Sequence, residues 1–221
     1  MRYLMPLLAA VCLVGLVPDA ARGQGFTMGI KGGLNVSNLN VDDAADPDFG
    51  FDSRTGFVGG AYLQCGGVGW FTLQGELQFS RSGAKSKGAD PAYEIDLDYL
   101  RVPVLFMARF SSGESPLLPI AYLGPQVSFQ TQCQITADGN GASASFDCAS
   151  EELGEPLITN LVEFGLVFGG GLEVPVSRLT MQLDARYNLG LSNINGGPDA
   201  DDISVKNRGW SFMVGLGYPF G

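Results

Sequence analysis

The chain has 221 residues, with 13 Lys or Arg against 23 Asp or Glu for a formal net charge of -10, and it carries 32 glycines but no histidine. The acidic balance argues against a nucleic-acid partner, and the missing imidazole excludes His-dependent triads, histidine acid-base catalysis and zinc sites that need imidazole. The length fits one domain.

Residues 1–23 read as an export signal. Arg2 supplies the positive start, Leu4 to Val17 the apolar run, and Ala21-Arg22-Gly23 a small-x-small pattern that places cleavage before Gln24. The run is shorter than the roughly 20 residues of a spanning helix. The chain thus divides into a signal peptide, 1–23, and one domain, 24–221.

Beyond the signal, helical periodicity is scarce and alternation with a period of two dominates, as it must where successive side chains point to opposite faces of a strand. The first strand, FTMGIKGG, sets Phe26, Met28 and Ile30 against Thr27, Gly29 and Lys31. RTGFVGGAYLQ and GWFTLQGELQFS follow across the short QCGGVG connection; in the latter, Phe71, Leu73, Leu77 and Phe79 oppose Thr72, Gln74, Glu76, Gln78 and Ser80. In the fourth, YEIDLDYLRVPVLFMARF, Ile95, Leu97 and Tyr99 oppose Glu94, Asp96 and Asp98 until the apolar phase changes around Leu100, where a β-bulge is expected. Pro103 lies just beyond, unable to donate to a ladder.

LPIAYLGPQVSFQTQ is the fifth strand and NLVEFGLVFGGGLEVPV the sixth, with Glu163 and Glu173 opposite its apolar parity. SRLTMQLDARYNLGL sets Leu179, Met181, Leu183, Ala185, Tyr187 and Leu189 against Thr180, Gln182, Asp184, Arg186 and Asn188. The eighth, GWSFMVGLGYPFG, places Trp210, Phe212, Val214, Leu216, Tyr218 and Phe220 on one face. Short connections at QCGGVG, SSGESP and PVS alternate with longer polar ones near 35–54, 83–92, 132–159 and 191–207.

This is an all-β chain, and the pattern predicts an eight-stranded antiparallel transmembrane β-barrel with short periplasmic turns and long extracellular loops. A β domain in lipid must close, because open edges leave backbone groups unsatisfied, and its outer face must be apolar. The opposite parity carries Lys31, Glu76, Asp96, Asp98, Arg101, Glu163, Glu173, Asp184 and Arg186 among small and polar residues, which suits a plugged interior. A soluble barrel or sandwich with the same face as its core would alternate identically. The export signal, the strand number, the unequal loops and the terminal aromatics together favour the membrane.

Cys12 falls in the signal, leaving Cys65, Cys133 and Cys148 for an oxidising compartment. Cys133 and Cys148 bracket a polar, turn-rich stretch, so their pairing as a disulfide would staple a long exposed loop. That leaves Cys65, in LQCGG, as the odd one.

GIKGGLNVSNL, TGFVGGAYL, QGELQFSRSGAK, DLDYLRVPVLFMARF, AYLGP, FGLVFGGGLEVPV, LDARYNLGL and GWSFMVGLGYPF together resemble the OmpA-like, PorT-like outer-membrane β-barrel domain family of Gram-negative bacteria. The resemblance covers nearly all of residues 26–220. It implies outer-membrane lipid as the surroundings and insertion by the barrel assembly machinery, which recognises an aromatic-rich final strand; here Phe220 is followed by Gly221.

The candidate site is an interior charge network in which Lys31, Arg101 and Arg186 pair with Glu76, Glu163, Glu173 or Asp184. Asp42, Asp43, Asp46, Asp48 and Asp52, with Asp199, Asp201 and Asp202, form acidic loops whose spacing lacks the terminal Glu of an EF-hand, so no metal site is assigned. Gly169-Gly170-Gly171 is not a phosphate loop, and neither a GxSxG elbow nor a cofactor motif is present. The expected function is a non-enzymatic outer-membrane barrel with a structural or surface-interaction role toward an envelope or surface partner. A small-solute channel, an export-apparatus barrel and a secreted soluble ligand-binding barrel are the alternatives.

Overall fold

The computed structural model describes residues 25–43, 51–66, 70–86, 92–110, 115–139, 142–148, 160–197 and 203–220. The expected signal peptide lies outside them, as do Asp46, Asp48, Asp199, Asp201 and Asp202. Among the described residues nine strands follow in chain order: β1 Phe26–Asp43, β2 Phe51–Gly66, β3 Phe71–Ser86, β4 Ala92–Arg109, β5 Leu118–Gly139, β6 Ala142–Asp147, β7 Val162–Val176, β8 Leu179–Gly190 and β9 Ile203–Phe220. They form one antiparallel sheet in the order β4-β3-β2-β1-β9-β8-β7-β5-β6, and a further β4–β5 pairing links β4 back to β5. Among the described residues, β6 alone has a single neighbour. It is the strand that the alternation did not foretell, because Ala142 to Asp147 pairs in register only with the far end of β5, Gln134 to Gly139.

Several of the expected loops are strand. β1 continues to Asp43 against Ile203, and β4 starts at Ala92 against Asp138, so the sheet extends well past the point where the apolar alternation stops. Backbone groups there gain ladder partners whatever the side chains are. The side chains decide only which face is wet.

Over most of the sheet the two faces differ sharply. Ile30 is 68% exposed and Leu123 63%, whereas Glu76 and Arg186 are 0%. Apolar side chains point outward and polar ones inward. Aromatic side chains mark two levels of the outer face. Phe26 stacks on Phe220 with ring centroids at 5.8 Å and Phe71 on Phe106 at 6.1 Å near the short turns, while Phe168, Tyr187 and Trp210 form a run at 5.4 and 5.2 Å near the other end. The interior is not uniformly polar. Leu105 and Met107 of β4, Ile120 and Tyr122 of β5 and Val167 of β7 make a buried cluster on one wall, beside inward charges that come from β1, β3, β4, β7 and β8.

β4 corrects two expectations. Leu97, Tyr99, Arg101, Pro103, Leu105 and Met107 are all buried on one unbroken parity, so the strand does not slip at Leu100. What changes there is the surroundings. Below Leu100 the outward residues Val102, Val104 and Phe106 are apolar; above it they are Asp98, Asp96 and Glu94, while the inward Leu97 and Tyr99 pack with Leu39, Ala84 and Ile194. The irregularity is carried by β5, where Asp98 faces Gln132 but Tyr99 faces Gln130, leaving Thr131 as the extra residue. Asp96 and Asp98 therefore belong to the outer face of the extension and not to the interior. Pro103 interrupts the β3–β4 ladder between Val104 and Arg101 without shifting its register.

Cys133 and Cys148 form a disulfide with their Cα atoms 5.5 Å apart, and Cys65 stands outside it in β2. The bond ties β6 to the extended end of β5, whose other edge pairs with β4. In the Cys133→Ser/Cys148→Ser variant we expect the barrel's unfolding midpoint to stay in place while limited proteolysis cuts residues 134–148 about tenfold faster, since the lost constraint acts on the hairpin alone. Equal loss of stability throughout would contradict this.

Candidate functional site

The interior site follows from strand parity. Asp184 and Arg186 sit two residues apart on β8 and so share its inward face, Glu76 enters from β3, and Lys31 enters from β1 between the inward glycines Gly60 and Gly215. Lys31 Nζ lies 2.8 Å from Glu76 Oε1 and 3.1 Å from Asp184 Oδ2. Arg186 Nη1 donates to Glu76 Oε2 at 2.7 Å, and its Nη2 and Nε donate to Asp184 Oδ2 and Oδ1 at 2.7 and 3.0 Å. Two cations thus meet two carboxylates, with no more than 1% of any of the four side chains exposed. The Tyr122 hydroxyl donates to Asp184 Oδ1 at 2.6 Å, and its ring lies 5.3 Å beneath the Arg186 guanidinium. Buried charge is tolerable only when compensated in this way.

Toward the short turns the network continues through amides. Gln74 donates to Glu76, Gln64 Nε2 to Gln74 Oε1 at 2.7 Å and to Glu173 Oε1 at 2.9 Å, and Arg109 Nε to Glu173 Oε2 at 2.7 Å. Arg109 Nη2 also reaches Gln64 Oε1 at 2.9 Å, and its Nη1 bonds Thr72. Of the seven residues expected to form the network, the structure joins Lys31, Glu76, Asp184 and Arg186 directly. Glu173 is paired by Arg109, which the alternation missed although it extends the inward parity of Leu105 and Met107 by one step. Arg101 donates to Ser82 Oγ at 2.8 Å and makes no ion pair among the described residues. Glu163 makes none either. Both face Ser128, from β4 and β7, so one strand separates them.

A second cluster occupies the outer face above the apolar zone. The β2–β3 register shifts between Ser53 and Val58, and this bulge turns Arg54 outward across Gly83, where it pairs with Glu94 and Asp96 and donates to the Ser82 carbonyl at 3.2 Å. Gly83 has φ +146°, and an added Cβ would sit 3.3 Å from Arg54 Cδ. Arg81 pairs with Asp98 at 3.1 Å and Lys85 with Glu94 at 3.4 Å. A cavity of about 100 Å³ opens among Arg54, Arg81, Asp96, Asp98, Gln132 and Gln134. Of the outer acidic residues expected in loops, Asp42 and Asp43 lie in β1, and Asp52 is exposed opposite Lys85. Among the described residues, no group of three acidic or cysteine side chains is placed to hold a metal.

Partial burial pushes the Asp96 carboxyl above its ordinary range, Arg54 pulling down and Glu94 pushing up. Burial also raises Glu94, but the hydrogen bond and charge of Arg54, with Lys85, outweigh it and hold that carboxyl below the ordinary range. The two act oppositely on stability. Glu94, depressed on folding, adds stability above its unfolded pKa that is lost as pH falls through its folded one. Asp96, raised on folding, detracts as pH rises from its unfolded pKa through its folded one. We expect Glu94→Gln to weaken the extension at pH 7 and to matter little in acid, and Asp96→Asn to be neutral or slightly stabilising at pH 7. Each effect is under about 1 kcal/mol because both sites are partly exposed. Hydrogen exchange of Ala92 to Asp98 at pH 7 and in acid reads both.

The sequence matches the family model described as outer membrane protein beta-barrel domain over residues 19–196. Among solved structures, the outer membrane protein OprG from Pseudomonas aeruginosa aligns with TM-score 0.53 at 14% identity, covering 89% of this chain and 97% of that one. Neisserial surface protein A aligns with TM-score 0.46 at 16% identity over 89% and 99%, and the N-terminal β-barrel domain of Pseudomonas aeruginosa OprF with TM-score 0.40 at 9% identity over 87% and 97%. No curated protein matches the chain by sequence. With an antiparallel sheet that is apolar outside and polar inside, and a family match spanning most of its length, the chain belongs to the outer membrane protein β-barrel domain family.

Proposed function

We propose that the protein is an eight-stranded transmembrane β-barrel of the outer membrane, within the OmpA-like, PorT-like branch, that acts without catalysis to anchor and present its extended outer sheet to an envelope or surface partner. Among the described residues every strand except β6 pairs on both sides, which supports eight strands around the interior with β6 in the presented extension. Phe220 and Trp210 mark the two aromatic levels on β9, ten residues apart. At about 3.4 Å per residue and the roughly 40° tilt usual in such barrels, this spans about 26 Å, the height of a bilayer's apolar band. The short turns then face the periplasm, and the barrel assembly machinery inserts the chain.

One observation carries the reading. The interior is crossed by Lys31, Glu76, Asp184 and Arg186, mutually paired and sealed from solvent, which supports a plug and disfavours a small-solute channel. Planar-bilayer recording of the folded full chain is expected to show no unit conductance. Discrete openings in the wild-type protein would favour the channel reading, and recovery in the periplasmic fraction without detergent the soluble one.

A further inference from the structure

The outer-face cavity lies where side chains of β2, β3, β4 and β5 meet. We infer that the cleft lined by Arg54, Arg81, Asp96, Asp98, Gln132 and Gln134 is a binding site for an uncharged sugar, such as the headgroup of a glycolipid in the outer leaflet. The inference rests on the membrane reading above for its position and on the cleft itself for its chemistry.

Position comes first. On the outward face of β3, Arg81 lies two residues beyond the exposed Phe79, and on β4 Asp98 lies two beyond Leu100. Two residues advance about 7 Å along a strand, so the cleft stands in the first layer above the apolar band, where lipid headgroups lie. A site here meets its ligand without drawing it from bulk solution.

The lining selects the class. Two guanidinium groups and two carboxylates cancel, and any phosphate brought near the arginines also meets Asp96 and Asp98. Sugar hydroxyls both donate and accept, as a rim of guanidinium donors, carboxylate acceptors and two-sided amides requires. Arg81 spends Nε and Nη2 on Asp98 yet is half exposed, and Gln132 is exposed, so hydrogen-bonding capacity remains at the mouth. The cavity of about 100 Å³ is small, enough for the edge of one ring but not a chain. The β2 bulge and Gly83 shape the cleft by laying Arg54 flat across β3.

The test is native mass spectrometry of the full-length barrel released from bicelles holding equal amounts of monoglucosyl diacylglycerol and phosphatidylglycerol. The wild-type chain should retain the glucolipid over the phospholipid by about tenfold, and the preference should vanish in Arg81→Ala and in the uncharged variant Gln132→Ala/Gln134→Ala. Displacement by excess methyl glucoside would show that the sugar alone is recognised; preference without displacement would show that the lipid-borne headgroup is needed, and either supports the site. Equal retention of both lipids, a preference surviving in both variants, or displacement by inorganic phosphate overturns it. Heat-modifiable migration of each sample tests the barrel reading separately, so a folded chain without preference refutes the cleft and leaves the barrel standing.

Discussion

Replacing Arg186 with Ala should lower the unfolding free energy of the detergent-folded barrel by about 3–5 kcal/mol, the usual cost of leaving buried charge uncompensated. Arg186 supplies four of the hydrogen bonds to Glu76 and Asp184, and without it Lys31 alone faces both carboxylates. The loss comes from the stranded anions more than from the vanished contacts. The double variant Glu76→Gln/Arg186→Met, which removes one charge of each sign and leaves the Lys31–Asp184 pair, should therefore cost clearly less than the two single changes summed. Arg186→Lys should fall between, since an ammonium cannot span both carboxylates as the guanidinium fork does. Urea unfolding of Arg186→Ala, Arg186→Lys, the double variant and its two single changes tests this, and strict additivity would refute the network as one unit.

Gly83→Ala should cost about 2–3 kcal/mol and loosen the extension before the barrel. At φ +146° an L side chain is strained whatever the space, and here its Cβ would lie 2.0 Å from the Ile95 carbonyl oxygen. The β3–β4 ladder would have to part there, and Arg54 would lose its path to Glu94 and Asp96. Gly75, on the same strand, is the control: an added Cβ meets nothing within 4 Å, so Gly75→Ala should stay within about 0.5 kcal/mol of wild type. Protease cleavage between residues 81 and 98 should rise in the first variant and not in the second. Equal behaviour of the two would show that Gly83 is not held as described.

The contrast between interior and extension explains what the sequence could reveal. Where lipid faces one side, alternation of Leu183, Asp184, Ala185 and Arg186 is unequivocal, because a one-residue slip would expose charge to the apolar band. The strands and the tetrad could be read on that basis. Above the band both faces are wet or self-covered, the outward parity turns acidic at Asp98, and the same period-two signal no longer tells inside from outside. Alternation alone therefore puts Asp96 and Asp98 on the wrong face. Arg109 was readable from parity. Arg54 was not, since its direction is set by a bulge between Ser53 and Val58 whose local mark, Gly56, does not say which way Arg54 turns. The gap between Arg101 and Glu163 depended on strand neighbours, which periodicity does not supply.

Fractionating cells and running the outer-membrane sample on a gel with and without boiling decides whether the chain is a closed barrel held in the outer membrane. A closed barrel resists detergent unfolding until heated, so outer-membrane recovery and two distinct migration positions are expected, the shift being lost on boiling. A chain recovered in the soluble fraction, or one that migrates identically before and after boiling, would contradict it.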